Sequence, residues 1–446
     1  MFKTFRKALE IEEIRKRLLF TLLMMVIVRI GCQIPTPGIN PAAVTSWFEQ
    51  LALSNNTGFN FFNTITGSSF STMSIFALSI SPYITSSIIV QLLTIAIPKL
   101  EELSKEGEEG RKTINKITRY LTIALALIQS ISMAIGFGSN YLTNYTWYNV
   151  IIIGVVMTAG SAFLMWIGEQ ITDRGLGNGI SVILLINILS SLPNDFRTMY
   201  TTFIQGKDLW LGILIAIVIL VLIFALVVFV VYLQDGERKV PVQYAQRMSG
   251  RKLVGGQASH IPVKVNTAGV IPVIFASSLL SMPAIIAGFL GVNTSAPTTT
   301  GGHIIKGLSQ SSWFNFSSGE WYYTFGVLIY IGLLIFFAYF YTSITFNPME
   351  VANNLKKQGG FVPGIRPGKP TSEYIEKILN KIIIIGAFGL LIIAIIPIVL
   401  TGITGVGSSL CFFGTSLIII VGVIIETLKQ AESMMVVRNY KGFLDE

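Results

Sequence analysis

Between Leu209 and Leu233 the chain reads LWLGILIAIVILVLIFALVVFVVYL, 25 residues without one charged side chain. In hydrocarbon a backbone amide finds no water to bond, so such a segment satisfies its own hydrogen bonds by coiling, and about 20 apolar residues cross the bilayer core. One segment of this kind commits the rest of the chain to a membrane reading. The composition agrees: of 446 residues, 52% are hydrophobic and 12% charged, against a usual charged share of ~25% in soluble domains. A soluble enzyme is excluded.

Two longer charge-free windows need dividing. Tyr120 to Gly168 holds two apolar blocks around GFGSNYLTNYTWYN, and Ile382 to Ile425 holds two around TGITGVGSS, so each reads as a helical hairpin. The whole chain then gives ten spans, at roughly 18–34, 70–97, 117–137, 148–168, 180–192, 209–233, 267–290, 321–343, 381–400 and 407–428. The fifth, ISVILLINILSSL, is too short to cross alone and is expected to borrow residues from the loop after it.

An even number of spans puts both termini on one side, and Lys plus Arg choose that side. The two termini and the loops after spans 2, 4, 6 and 8 hold 28 of the 32 basic residues; Arg29, Arg197, Lys207 and Lys306 are the others. Both termini are therefore expected in the cytoplasm. The first apolar run has long basic flanks and no small-residue cleavage pattern, so no removable signal peptide is expected. Cys32 and Cys411 lie at or inside span ends, where buried packing is a better reading than a disulfide.

Five spans followed by five imply two halves that enter from opposite sides, an inverted pair whose functional axis runs between them. The expected organisation is a cytoplasmic segment 1–17, an N-terminal half 18–200, a C-terminal half 201–428 and a cytoplasmic tail 429–446. The second half carries two long basic cytoplasmic loops, 234–264 and 346–380. Topology control and attraction to anionic lipid account for much of that charge. The Pro/Gly punctuation of VPGIRPGKP, however, describes a shaped projection suited to docking a large cytoplasmic partner.

Catalytic signatures are missing. The only histidines, His260 and His303, fall in loops on opposite sides, and no HExxH, CxxC, GxxxxGK[ST] or GxSxG occurs. The chain is not read as an enzyme, and no cofactor or metal is implied. Ionisable residues are nearly absent from the spans: Arg29, Glu169 and Glu426 all sit at span ends, which argues against ion-coupled transport. The alternative kept open is an inverted-repeat secondary transporter with GLGNG (175–179) as a broken-helix ion site.

Four stretches carry a resemblance: SIFALSISPYITSSIIVQLL (74–93), WIGEQITDRGLGNGIS (166–181), KVNTAGVIPVIFASS (264–278) and ETLKQAESMMVVRNYKGFL (426–444). Together with RIGCQIPTPGIN after the first span, they resemble the SecY/Sec61-alpha family of protein-conducting channels, in order along essentially the whole chain. The resemblance implies an all-α polytopic fold, ten transmembrane helices in two inverted five-helix halves around a central hourglass pore. It also implies passage of unfolded preproteins, with release of hydrophobic segments into lipid through a lateral gate. Implied partners are SecE and SecG subunits, the SecA motor, the ribosome, preprotein signal sequences and membrane lipid, in the bacterial plasma membrane.

The resemblance gives roles to particular residues. The external loop after span 1 would fold back as a plug, about 55–70, built from Phe59, Asn60, Phe61, Phe62, Asn63, Thr64, Ile65, Thr66 and Gly67. Its phenylalanines can pack in a funnel while its amides and hydroxyls tolerate water, and Gly58 and Gly67 can act as hinges. Matching positions make the pore ring Ile80, Ile84, Leu184, Ile274 and Ile419, with Ile183 an alternative on span 5. Ile80 and Ile84 are four apart and share a helix face. Pro82 between them is expected to kink a hydroxyl-rich, movable helix. Thr85, Ser87, Gln129, Asn266 and Met282 are assigned to the lateral gate, with Gln129 and Asn266 as a weak amide latch across its seam. Arg366, and with it Arg238 and Lys239, is assigned to partner docking.

Overall fold

The computed structural model describes residues 10–46, 63, 65–137, 141–205, 208–244, 247–249, 252–254, 258–289, 300–308, 313–314, 321–404 and 411–441. In the N-terminal half these form α1 (Glu12–Gly31), α2 (Ser81–Ala96), α3 (Pro98–Lys105), α4 (Glu108–Phe137), α5 (Trp147–Arg174) and α6 (Gly179–Phe203). In the C-terminal half follow α7 (Leu209–Asp235), strands β1 (Glu237–Tyr244), β2 (Arg247–Ser249), β3 (Lys252–Val254) and β4 (Ala258–Lys264), then α8 (Ile271–Phe289) and α9 (Thr300–Leu308). The chain continues with α10 (Phe325–Thr345), α11 (Pro348–Lys357), β5 (Gly360–Phe361), α12 (Lys369–Thr404) and α13 (Cys411–Lys441).

Ten helices of 16 residues or more occur among the described residues, in the order of the ten expected spans. By length and composition six are fit to cross a membrane, or seven if α2 and α3, bent by 107°, count as one broken span. α7 shows why lipid is its solvent: only 11% of its central window is buried, and Trp210, Leu214, Leu220 and Phe224 stand open around it. An apolar surface of that extent in water would draw a partner or aggregate. The fifth helix does borrow from the loop, reaching Phe203 with Pro193 inside it.

Each half is internally braced. In the first, α4 and α5 pack along their lengths and Arg119 meets Glu169 at 2.6 Å; in the second, α7 packs on α13 and Lys429 meets Asp235 at 2.6 Å. The halves touch along two seams, α6 against α13 and α4 against α8, and also where α6 leads into α7. One apolar core runs through both halves, from Val28 and Phe76 to Leu390 and Ile418.

Two features depart from the sequence reading. Residues 66–80 run as successive turns, so the second span, expected from residue 70, becomes helical only at Ser81. Hydroxyls compete there for the backbone. Thr66 Oγ1 accepts from the Phe70 N–H at 3.3 Å, Ser71 Oγ donates to the Ser68 carbonyl at 2.9 Å, and Asn63 Oδ1 accepts from the Ser71 N–H at 3.0 Å. Pro82 therefore lies in the first turn of α2, where its missing N–H is not needed, and kinks nothing.

The second departure is β structure in a chain read as all-α. β1 pairs antiparallel with β4 from Glu237↔Lys264 to Gln243↔Ala258, and β5 joins the other edge of β1 at Gln243↔Phe361. The two long basic loops are thereby one folded unit. Val242, Leu355, Val362 and Ile375 form its small core.

Candidate functional site

Where the two halves face each other, Ile84 on α2, Leu184 on α6, Ile274 on α8 and Ile419 on α13 line one cavity of about 200 Å³. Four helices from both halves thus each contribute an aliphatic side chain to a single wall. Ile80, one turn before Ile84, is fully buried in the core to which the other ring residues belong, and is not among the cavity's lining residues. On α6 the cavity side is Leu184; Ile183 points to α5, its Cδ1 3.5 Å from where a Cβ on Gly168 would stand. The same wall also carries the polar residues Ser87, Gln91, Asn178 and Ser181 among aliphatic neighbours. The lining thus mixes wettable and greasy groups, and the greasy ones oppose ions, which must shed hydration to enter.

Of the plug residues, Phe59, Asn60, Phe61, Phe62 and Thr64 lie outside the described residues. Asn63, Ile65, Thr66 and Gly67 are described and sit inside the protein: Ile65 is buried, as is Thr66, whose hydroxyl donates to the Asn63 carbonyl at 3.0 Å. Gly67 has φ +66°, and its carbonyl accepts from Arg29 Nη1 at 3.1 Å. Asn187 of α6 donates from Nδ2 to the Ile65 carbonyl at 3.0 Å. Asn187 was not singled out from the sequence, although one amide inside the apolar run ISVILLINIL was its visible signal.

The residues assigned to the lateral gate fall on both sides of the α4–α8 seam. Ser87 lines the cavity and accepts from Gln91 Nε2 at 3.2 Å, while Thr85 donates back to the Ser81 carbonyl at 3.1 Å. Gln129 is half-buried on α4 and Met282 is exposed on α8. The expected amide latch is not made. Asn266 is buried, and its Nδ2 donates at 2.9 Å to the Gly269 carbonyl within its own turn, with no bond to Gln129 among the described residues.

Arg366 is exposed in a tight loop between Gly364 (φ +80°) and Gly368 (φ +103°), and its carbonyl accepts from Thr371 Oγ1 at 2.8 Å. A pinned backbone with a free guanidinium suits recognition of an acidic surface. Arg238 and Lys239 are both exposed but are consecutive residues of β1, so they leave the sheet on opposite faces and do not form one patch. Lys239 meets Glu237 at 3.8 Å on its face.

The GLGNG turn is pinned in place through its backbone donors. Its N–H groups are taken by side-chain oxygens: Leu176 donates to Thr21 Oγ1 at 3.0 Å, Gly177 to Gln430 Oε1 at 2.6 Å and Gly179 to Thr172 Oγ1 at 3.0 Å. It is a connector between the ends of α5 and α6, not an unwound stretch within a span.

A multi-pass helical membrane protein in two braced halves, with an aliphatic-walled cavity between them, is built as a gated conduit. The SecY family profile matches residues 74–428. The chain is 41% identical to the protein translocase subunit SecY of Halalkalibacterium halodurans, over 100% of both chains. Among solved structures it is similar, with a TM-score of 0.60 and 16% identity over 95% of this chain and 93% of the other, to a SecY protein whose plug domain stabilises the closed state of the translocation channel and maintains a membrane seal. It is likewise similar to Sec61 in the canine ribosome–channel complex from the endoplasmic reticulum, with a TM-score of 0.60 and 18% identity over 95% of this chain and 93% of that one. The chain belongs to the SecY family.

Proposed function

We propose that the cavity between the halves is the throat of a protein-conducting channel, closed in the conformation described. The carrying observation is that Ile84, Leu184, Ile274 and Ile419, from four helices of both halves, meet at one cavity of about 200 Å³. An α-helical segment is about 10–12 Å across, so the walls must part before a chain enters. Until then the aliphatic ring, with Ile80 behind it, holds off ions that the membrane potential would drive through at about 2.3 kcal/mol per charge per 100 mV.

Residues 59–67 are the plug in this reading, seated by the buried stretch Ile65–Gly67. Release of hydrophobic segments runs through the α4–α8 seam, with Met282 as a contact for an incoming signal sequence. The rest of the proposed organisation, an N-terminal half 18–200 and a C-terminal half 201–428 with cytoplasmic loops 234–264 and 346–380, follows the two braced halves. The membrane is the bacterial plasma membrane and both termini are cytoplasmic, as the basic-residue asymmetry favours.

A channel of this kind is passive, so a partner supplies the energy: a SecA-type motor or the elongating ribosome, with SecE-like and SecG-like subunits completing the assembly. The likeness to Sec61 of a ribosome–channel complex supports the ribosome. Arg366 is the docking arginine, on a loop welded by β1–β5 pairing to the other basic loop.

The test is Ile84→Cys, probed with a water-soluble thiol reagent while a preprotein is stalled in transit. Labelling during transit and protection at rest are expected. Normal export with no labelling at any stage would remove the cavity from the translocation path. Reconstituted vesicles that take up a small solute along an ion gradient, with neither motor nor ribosome, would favour the transporter reading instead.

A further inference from the structure

We infer that Asn187 is a positioning residue that ties the seated plug to the pore wall and lets go when the wall moves. This rests on the plug reading of residues 59–67. Asn187 stands midway along α6, three residues beyond the ring position Leu184, and is 1% exposed. Its Nδ2 donates twice, to the Ile65 carbonyl at 3.0 Å and to Ser79 Oγ at 3.2 Å. One amide thus joins the end of the plug to the turn that precedes α2. Ser79 is itself held, with φ +50° and its carbonyl accepting from Ser161 Oγ of α5 at 2.9 Å.

The other half of the amide meets no protein donor among the described residues. Asn187 Oδ1 is buried with no hydrogen-bond partner, 2.9 Å from where a Cβ on Gly67 would stand. Arg29 Nη1 donates to the Gly67 carbonyl at 3.1 Å. A buried acceptor without a donor carries a desolvation cost that water removes. When α6 and α2 separate and water enters the throat, Oδ1 gains its missing donor and the Ile65 carbonyl can bond to water as well. The latch therefore favours the seated plug only while the throat is dry, and hydration weakens it in step with opening. A purely apolar contact at this position would lack that coupling.

The experiment is a mutant cycle on the full-length channel, co-reconstituted with its partner subunits and recorded in planar bilayers without substrate. Asn187→Leu is placed in the intact protein and in one lacking residues 59–67. Loss of hydrogen bonds at membrane depth should raise resting open probability about three- to tenfold in the intact channel, and add nothing once the plug is gone. Asn187→Ala serves the same comparison if the Leu variant does not insert. An equal rise in both backgrounds would overturn the latch by assigning Asn187 to general packing of α6. No rise in the intact channel, when deletion of 59–67 does raise it, would also overturn the latch while leaving the plug in place. If neither change opens the channel, the plug reading falls and the latch with it.

Discussion

Gly67→Ala is the sharpest probe of a seated plug, because its cost exists only in that state. At φ +66° an alanine pays the left-handed penalty, about 1–2 kcal/mol. The new Cβ would lie 2.6 Å from Arg29 Nη1, 2.9 Å from Asn187 Oδ1 and 3.0 Å from Asn187 Cα. The guanidinium can swing away, at the cost of its 3.1 Å bond to the Gly67 carbonyl, and a hydrogen bond from a charged donor contributes about 1.5–3 kcal/mol. The α6 backbone at Asn187 cannot swing. The seated state should therefore lose roughly 2.5–5 kcal/mol relative to a displaced plug that relaxes its φ, which is about seventyfold to several thousandfold in the equilibrium. Single-channel recording without substrate reads this as a higher resting open probability. Gly107→Ala is the matched control: its φ is +81°, with nothing within 4 Å of the added Cβ, in the turn between α3 and α4. It carries the same backbone strain far from the throat and should leave the resting current alone. A Gly67→Ala channel as tight as the parent, or one no leakier than Gly107→Ala, would refute the argument that Ile65–Gly67 is a seated stopper.

Deleting residues 59–67 should raise the resting ion leak beyond any single latch variant and relax the demand for a good signal sequence. Unchanged conductance in planar bilayers would count against a plug in this loop. Arg366→Glu should abolish motor-driven export while the protein accumulates at its normal level, because the side chain is exposed and only its carbonyl serves the fold. Export at the parent rate would take Arg366 out of the docking surface.

The spans were legible because their signal is local. A charge-free run such as Leu209–Leu233 has one stable conformation in lipid, and the positions of the ten long helices followed from such runs. Boundaries were less legible where lipid no longer decides. α4 begins at Glu108 and α12 at Lys369, well outside their apolar blocks, since helix can continue into water once nucleated. The turns at 66–80 were missed because serine and threonine propensities are weak and the outcome depends on long-range bonds such as Asn187 to Ile65 and Arg29 to Gly67. The strands of the basic loops were missed for a related reason: β1 finds its partners 14 or more residues away, in β4 and β5. The alternation of Val240 and Val242 was their only trace. Four of the five ring residues share a cavity, but no periodicity pointed to Leu184, Ile274 and Ile419 as neighbours; the family resemblance named them.

The two seams between the halves are not equivalent, and the difference gives opening a direction. Along the α6–α13 seam a backbone N–H is committed across the gap, Gly177 to Gln430 Oε1 at 2.6 Å. Thr427 stands so near that a Cβ on Gly177 would lie 2.8 Å from its Oγ1. Beside it, Leu176 is tied to Thr21 of α1 and buried with Ile14 against Met434 and Met435. Parting there would strand the Gly177 donor and expose an apolar cluster. Along the α4–α8 seam no hydrogen bond crosses among the described residues, and Asn266 is satisfied within its own turn. Separation there costs packing alone, which lipid or an apolar signal segment replaces at little loss because hydrocarbon tails are as apolar as the side chains they displace. The ion pairs reinforce the asymmetry, since Arg119–Glu169 and Lys429–Asp235 each join helices of the same half and keep it rigid. On the channel function proposed above, two stiff bodies fastened at one edge and merely touching at the other are expected to open toward the second edge, so that a visiting chain widening the throat would also expose it to lipid on the α4–α8 side.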